Sequence, residues 1–428
     1  MSRGLAVAIA LAFSVPGAAG VSFSTWLGGP GDDALAGAAV LPDGSIVLAG
    51  TVPGGPLELR RPVGARRGRG EGIVLRLSPD ARRVLAILRL DGPVSDLDAD
   101  AEGRIALTGG FGTARLTPAL EGLWASEKGG QGARVAAMPG GSAILLAGKT
   151  VTLLDARGRA GRSWKVPASY AEDVACDART RLLFVTGFHN RRGRVPGQKT
   201  NPVQVAYVYA YDAQGEKVWT AYDWKGQEVA QRRLMADTRG YRLALGADGK
   251  LYVAGESAGG NSMWSRQSQD LDAAAPLAKP DKFQNPYNTA ANHITFVGRL
   301  DPRTGALEGG TFLLARLSSG RGNTIRPRAL AADERGRVYV AGASASHPPL
   351  SNGGFGRFEG GGAFFVVFDR SFHRVLATKF CSGTALAVGV GEGTIVAAGE
   401  GKDHLPPTHP LQAEPGGGKD GWAVVFAR

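Results

Sequence analysis

One phrase recurs along the chain and constrains it more than any other feature: an apolar stretch, a polar residue with glycine, then an apolar run ending in a small residue and glycine. It reads AAVLPDGSIVLAG up to Gly50, LDADAEGRIALTG up to Gly109, AAMPGGSAILLAG up to Gly148 and VACDARTRLLFVTG up to Gly187. LALGADGKLYVAG, LAADERGRVYVAG and AVGVGEGTIVAAG follow, ending at Gly255, Gly342 and Gly399. Asp43-Gly44, Glu102-Gly103, Asp248-Gly249, Arg335-Gly336 and Glu392-Gly393 place glycine where a tight turn needs positive φ, between two runs of strand composition. Each copy therefore predicts a β-hairpin. The fourth, with Ala178-Arg179-Thr180, lacks the turn glycine and predicts a longer turn.

A second pair of strands follows each hairpin, as in YVYAYDAQGEKVWTAYDW and FFVVFDRSFHRVLATKF. Four strands per unit, with closing glycines as little as 39 residues apart, match the blade of a β-propeller. We name the strands A to D from the inside out. The seventh unit has only GWAVVFAR after Gly399 and lacks a D strand. Val21 to Leu27, whose Ser24-Thr25-Trp26-Leu27 parallels Trp219-Thr220-Ala221-Tyr222 and Ala377-Thr378-Lys379-Phe380, supplies it. The expected fold is an all-β propeller of about seven four-stranded blades, closed by pairing the N-terminal and C-terminal strands, which removes an exposed sheet edge.

With 64 Gly and 24 Pro among 428 residues, the chain is turn-dense and has no long helical periodicity, so one propeller over 21–428 accommodates its length. Residues 1–20 carry Arg3, an apolar run from Leu5 to Val15 and small residues before Val21, which predicts a signal peptide and a periplasmic or extracellular protein. No later stretch has the length of a membrane helix. Cys176 and Cys381 fall on non-adjacent units and are expected as unpaired, half-buried thiols. The net charge of +12 is compatible with an anionic partner, but arginine-rich, alanine- and glycine-rich composition also follows from a GC-rich genome. The charge is dispersed, and no nucleic-acid partner is expected.

The run FSTWLGGPGDDALAGAAVLPDGSIVLAGT resembles the bacterial propeller repeat called SBBP, whose units carry Leu-Gly-Gly, an Asp-Asp pair, Asp-Gly and a closing Ala-Gly. The likeness is good in the first unit, partial in those ending at Gly255 and Gly342, and weak in those ending at Gly109, Gly148 and Gly187. The resemblance implies a fold and an exported setting, with no activity shared across the family.

Strand reversal puts B–C and D–A connections on one face. The long ones, Thr51 to Glu71, Phe188 to Pro202, Glu256 to His293, Ala343 to Gly362 and Glu400 to Asp420, are all B–C segments, so that face is where a partner is expected. The insert 256–293 brings Trp264, Arg266, Tyr287, Asn288 and His293, aromatic and polar groups suited to a sugar or peptide; alternatively it is a lid over the central channel packed on Trp264 and Tyr287. Arg321, Arg326 and Arg328, with Arg232 and Arg233, could clamp an anion, or pair with Asp237, Asp270 and Asp281. Asp32 and Asp33 are weak Ca²⁺ candidates, better read as turn residues. The six histidines are placed in loops or turns, without ligand spacing. No catalytic motif and no cofactor is expected. The leading expectation is a non-catalytic binding or scaffold propeller of the cell envelope, monomeric or part of a complex, recognising a protein or polysaccharide. The alternative is an exported hydrolase or lyase at the channel mouth using His293, Tyr287 and Arg326.

Overall fold

The computed structural model describes residues 20–53, 70–278, 293–316, 322–345 and 361–427. Residues 1–19 of the predicted signal peptide, as well as Asp281, Tyr287, Asn288 and Arg321, lie outside them. Seven four-stranded antiparallel sheets follow one another around a ring. The innermost strands are Ala34–Val40, Val94–Ala99, Arg134–Ala137, Tyr170–Asp177, Thr238–Leu245, Ile325–Ala332 and Gly383–Gly391, and each contacts the next, the last returning to the first. The seventh blade takes Val21–Leu27 as its outermost strand, antiparallel to Asp420–Ala427, with Trp26 opposite Trp422 and Leu27 opposite Gly421. Ring closure is therefore as the repeat arithmetic requires. No helix among the described residues is long and apolar enough to cross a membrane.

Hydrophobic packing lies between blades rather than within them. Val135, Leu145 and Trp124 join blades 2 and 3, Phe184, Trp219, Leu251 and Phe296 join blades 4 and 5, and Phe23, Leu48, Leu75 and Val425 join blades 7 and 1. Each sheet buries both faces, which is why its middle strands read as continuous apolar runs. Tryptophans reinforce the joints: Trp124, Trp164 and Trp219 on outer strands lie over the C–D turn glycines of the next blade, where a methyl on Gly158, Gly215 or Gly305 would stand 2.6, 2.8 or 2.5 Å from the ring.

The closing glycines have one cause in six of the seven blades. The A strand carries a β-bulge at Leu35/Gly37, Val94/Asp96, Ala171/Asp173, Gly240/Arg242, Pro327/Ala329 and Ala385/Ala387. At each bulge a closing glycine stands directly opposite, and a methyl there would run into the carbonyl of the bulged strand. Blade 3 has an unbroken A–B register, and its Gly148 sits outside the ladder in open space at φ +59°. Turns follow a second rule: Asp100, Asp155, Asp212, Asp333 and Asp369 accept the N–H groups two and four residues on, as in Arg157 N–H at 2.8 Å and Arg159 N–H at 2.9 Å to Asp155. The fourth A–B turn, residues 178–181, is not lengthened: it is shorter than those of blades 1, 2, 3, 5 and 6. Arg181 takes φ +58° in the absence of glycine, and Asp177 holds the turn through Arg179 N–H and the Thr180 hydroxyl, each at 2.9 Å.

Three of the long connections fold onto the blades instead of standing free. The segment predicted as a loop from Phe188 continues the ladder as strands Leu182–Arg194 and Thr200–Tyr211, braced by the helix Gly226–Gln231 through Gln227. Residues 258–278 run down between blades 4 and 5: Ser268 C=O accepts Tyr222 N–H at 2.6 Å, and Leu277 pairs in parallel with Gly310 on the outer strand of blade 5. This part of the insert is a wedge between blades, not a lid over the channel. Residues 404–412 lie along the free edge of Val21–Leu27, where Ser24 exchanges backbone bonds with Thr408 at 2.9 and 3.2 Å and Trp26 N–H reaches Gln412 C=O at 3.1 Å. The closing strand is thus paired on both edges.

Candidate functional site

The richest grouping of functional side chains lies where the long-connection ends of blades 5 and 6 meet. Glu256 is the penultimate residue of strand Leu251–Ser257, and its side chain is 1% exposed. Arg239 sits opposite it across the ladder; the bulge after Gly240 keeps Tyr241 on the same side. Tyr241 donates its hydroxyl to Glu256 at 2.8 Å, Arg326 Nε donates from blade 6 at 2.9 Å, Arg239 NH1 donates as well, and His293 Nδ1 stands 3.3 Å away. Burial alone would favour the neutral acid, but hydrogen bonding and charge from His293, Tyr241 and Arg326 outweigh it and hold the carboxyl at about 2. Glu256 is therefore a fixed negative charge. Around it the two arginines and the histidine remain 24%, 36% and 21% exposed for Arg239, Arg326 and His293.

A second grouping is built on blade 4. His189 lies in a strand, not in the loop its sequence position suggested, and is buried. Its Nε2 is 2.9 Å from Tyr209 Oη and 3.1 Å from Asp223 Oδ1; Tyr209 donates to Asp223 Oδ2 at 2.7 Å and Arg191 to Oδ1 at 3.0 Å. Tyr222 and Asp223 hold φ of +66° and +47°, a strained conformation for side-chain-bearing residues. Burial opposes ionisation of Asp223, yet these donors hold its carboxyl below the usual range. The alternation Tyr207, Tyr209, Tyr211 was visible in the sequence, but the aspartate and histidine that complete the group come from other strands.

The central channel encloses about 430 Å³ and is lined by all seven inner strands. Its carboxylates lace neighbouring blades: Asp96 accepts Val135 N–H at 2.9 Å, Asp98 accepts Ala137 N–H at 2.8 Å and Asp173 accepts Leu243 N–H at 2.9 Å. Inner-strand N–H groups that no ladder satisfies are paired this way. Burial pushes Asp98 and Asp173 up to about 6 and Arg242 down to about 10. Arg242 in turn donates to the carbonyls of Arg328 and Tyr241, at 2.5 and 2.6 Å.

Of the residues singled out in the sequence, His293 and Arg326 come together on Glu256. Trp264 does not join them. It is fully buried, stacked on Phe296 at 4.5 Å and edge-on to Tyr222 at 4.4 Å, with Nε1 donating to Glu256 C=O at 3.0 Å. Arg266 lies half-buried on the wedge, its NH1 3.5 Å from Asp272 C=O. Arg232 forms a two-pronged pair with Asp272 at 2.7 and 2.6 Å, and neither Asp237 nor Asp270 takes an arginine: they accept the N–H groups of Gln204 at 2.7 Å and Asp272 at 2.9 Å. Asp32 accepts Lys419 N–H at 3.0 Å and Asp33 accepts Gly29 N–H at 2.7 Å. Both cysteines are free; Cys176 is half-buried and Cys381 fully buried. Among the described residues no three His, Cys, Asp or Glu side chains are grouped to hold a metal ion. Glu256, the residue on which the main grouping turns, carried no sequence signal, because its partners, from Arg239 to Arg326, are contributed by three separate strands and their ends.

No protein-family model matches the chain, and no curated protein matches it either. Among solved structures it is similar to the Kuenenia stuttgartiensis hydrazine synthase, at 11% identity and a TM-score of 0.49, over 85% of this chain and 92% of that one. At that identity no activity is carried across. What the chain's own seven-bladed ring establishes is a β-propeller.

Proposed function

We propose that the chain is an exported, non-catalytic binding or scaffold propeller of the cell envelope that holds an anionic protein or polysaccharide on its long-connection face. The observation that carries this reading is the mouth of blades 5 and 6, where Arg239, Arg326 and His293 gather on the single carboxylate of Glu256 with Arg326 still 36% exposed. A guanidinium anchored on one side and open on the other is preorganised to meet a carboxylate or sulfate. The hydrolase or lyase alternative shares His293 and Arg326 with this grouping, and its third group, Tyr287, lies outside the described residues.

The test is an array of acidic peptides and anionic glycans probed with the intact protein and with R326E. Binding that weakens with salt and falls at least about tenfold in R326E is expected; equal binding by both proteins would sink the reading. Export is supported by residues 1–20 alone, and protein recovered from cells should begin at Val21, whereas a chain retaining Met1 counts against export. Membership of the SBBP repeat group belongs to the same proposal, supported by the first unit's Leu27-Gly28-Gly29 and Asp32-Asp33.

A further inference from the structure

Two glycine-rich segments meet at the seam where the ring closes. Residues 28–33 leave the N-terminal strand and residues 416–420 enter the C-terminal one, and they mirror each other. Each ends on an aspartate whose Oδ2 accepts the N–H of the glycine four residues earlier, Gly29 to Asp33 at 2.7 Å and Gly416 to Asp420 at 2.8 Å. Backbone bonds stitch them together, Asp33 N–H to Lys419 C=O at 2.7 Å and Gly418 N–H to Gly31 C=O at 3.2 Å. Both aspartates are buried, at 2% and 0% exposure. The second oxygen of each, Oδ1, is buried and has no hydrogen-bond partner.

The two carboxylates converge over Gly28. A methyl there would collide with Asp420 Oδ1 and stand 2.8 Å from Asp33 Oδ2, and the carbonyls of Gly29 and Gly28 stand 2.9 and 3.1 Å from where a methyl of Gly416 would be. Two buried carboxylates in such proximity repel each other, and a positive charge between them would relieve that repulsion. Arg89, a buried cation of blade 1, turns its NH1 to the carbonyls of Val52 at 2.6 Å and Gly70 at 3.4 Å, and no ion pair among the described residues joins it to either aspartate.

We infer that the seam binds one hard divalent cation, best matched by Ca²⁺, between the free oxygens of Asp33 and Asp420. Paired carboxylates beside backbone carbonyls are the donor set Ca²⁺ accepts. The ion joins the N-terminal and C-terminal segments, so it acts on closure of the ring and not on partner binding.

The test uses the intact protein stripped with a chelator at neutral pH, with CaCl₂ or MgCl₂ added alone. Ca²⁺ should raise the melting temperature in a concentration-dependent way, give one tightly bound ion per chain by native mass spectrometry, and bind D420N at least about tenfold more weakly. A wild-type melt indifferent to both ions overturns the inference. So does an ion-free D420N more stable than ion-free wild type with no Ca²⁺ response in either, since that pattern belongs to a proton shared by the two carboxylates. If D420N does not fold, the mass measurement on wild type decides alone: no retained ion refutes the site.

Discussion

Replacing Gly50 and Gly148 separately by alanine tests the explanation of the closing glycines within one molecule. At Gly50 the new methyl would collide with Ala34 O and stand 2.8 and 2.9 Å from the Cα of Leu35 and the carbonyl carbon of Ala34. All three are backbone atoms of the bulged inner strand, so relief requires shifting that strand against its partner Ile46–Thr51. Overpacking of this kind costs about 1–3 kcal/mol, and the upper end is expected where only backbone can yield. At Gly148 nothing lies within 4 Å, and only the left-handed backbone at φ +59° resists a side chain, which costs about 1–2 kcal/mol. Alanine lowers the entropy of the unfolded chain similarly in both variants, so that contribution cancels in the comparison. Urea unfolding of the two variants should show G50A less stable than G148A, by about 1–2 kcal/mol on these figures. If G50A is no less stable than G148A, the bulge does not dictate the glycine.

Deleting Val21 to Leu27 removes buried Phe23, Trp26 and Leu27, roughly 1.5–3 kcal/mol each, which together approach the whole stability of a domain; the truncated protein should lose its cooperative melt and be digested rapidly, and one that melts like the intact chain would contradict the closure. E256Q leaves Arg239 and Arg326 crowded without their counter-charge. A carboxyl displaced from 4.5 to about 2 corresponds to about 3 kcal/mol at pH 7, so an E256Q unfolding free energy within error of wild type refutes the ion network. The same substitution fixes a pH signature: Glu256 stabilises above 4.5 and is lost as pH falls toward 2, whereas Asp98 and Asp173, raised from 3.8 to about 6, favour the fold most below 3.8 and lose that contribution as pH rises through 6. Wild type should therefore lose stability between about 4.5 and 2 more steeply than E256Q does, and parallel curves would show another group responsible. Burial pushes the Cys176 thiol up to about 12 and Cys381 higher still, so a thiol reagent should titrate both only on unfolding; rapid labelling of the native protein would mean one is accessible.

What could be read from the sequence was local and repeated. The turn signals, the apolar runs and the missing seventh outer strand are all periodic, and together they settled the ring and its closure by Val21–Leu27. What could not be read depends on pairings between segments far apart in the chain. Nothing in residues 258–278 announces that Leu277 will lie beside Gly310, and nothing near Thr408 announces Ser24, because isolated bridges carry no pattern of their own. His189 looked like a loop residue because the closing glycine, here Gly187, ends or nearly ends the strand in the other units, whereas here the ladder runs on to Arg194. Glu256 was passed over for a similar reason: a single acid at the end of a strand is unremarkable until four donors from other strands turn toward it.

The doubly paired N-terminal strand has a consequence for how the protein is made. Ser22 donates to Val425, 403 residues away, and the other edge of the same strand waits for Thr408 and Gln412. The strand can therefore find its place only after partners some 403 residues further along the chain have appeared, and any passage of the chain in sequence order through a narrow pore imposes the same delay. Six blades can assemble in order while this strand, with Phe23, Trp26 and Leu27 still uncovered, remains unpaired and open to mispairing. The slow step of folding is expected to be this final insertion, and the interval before it is when the chain is most exposed to aggregation.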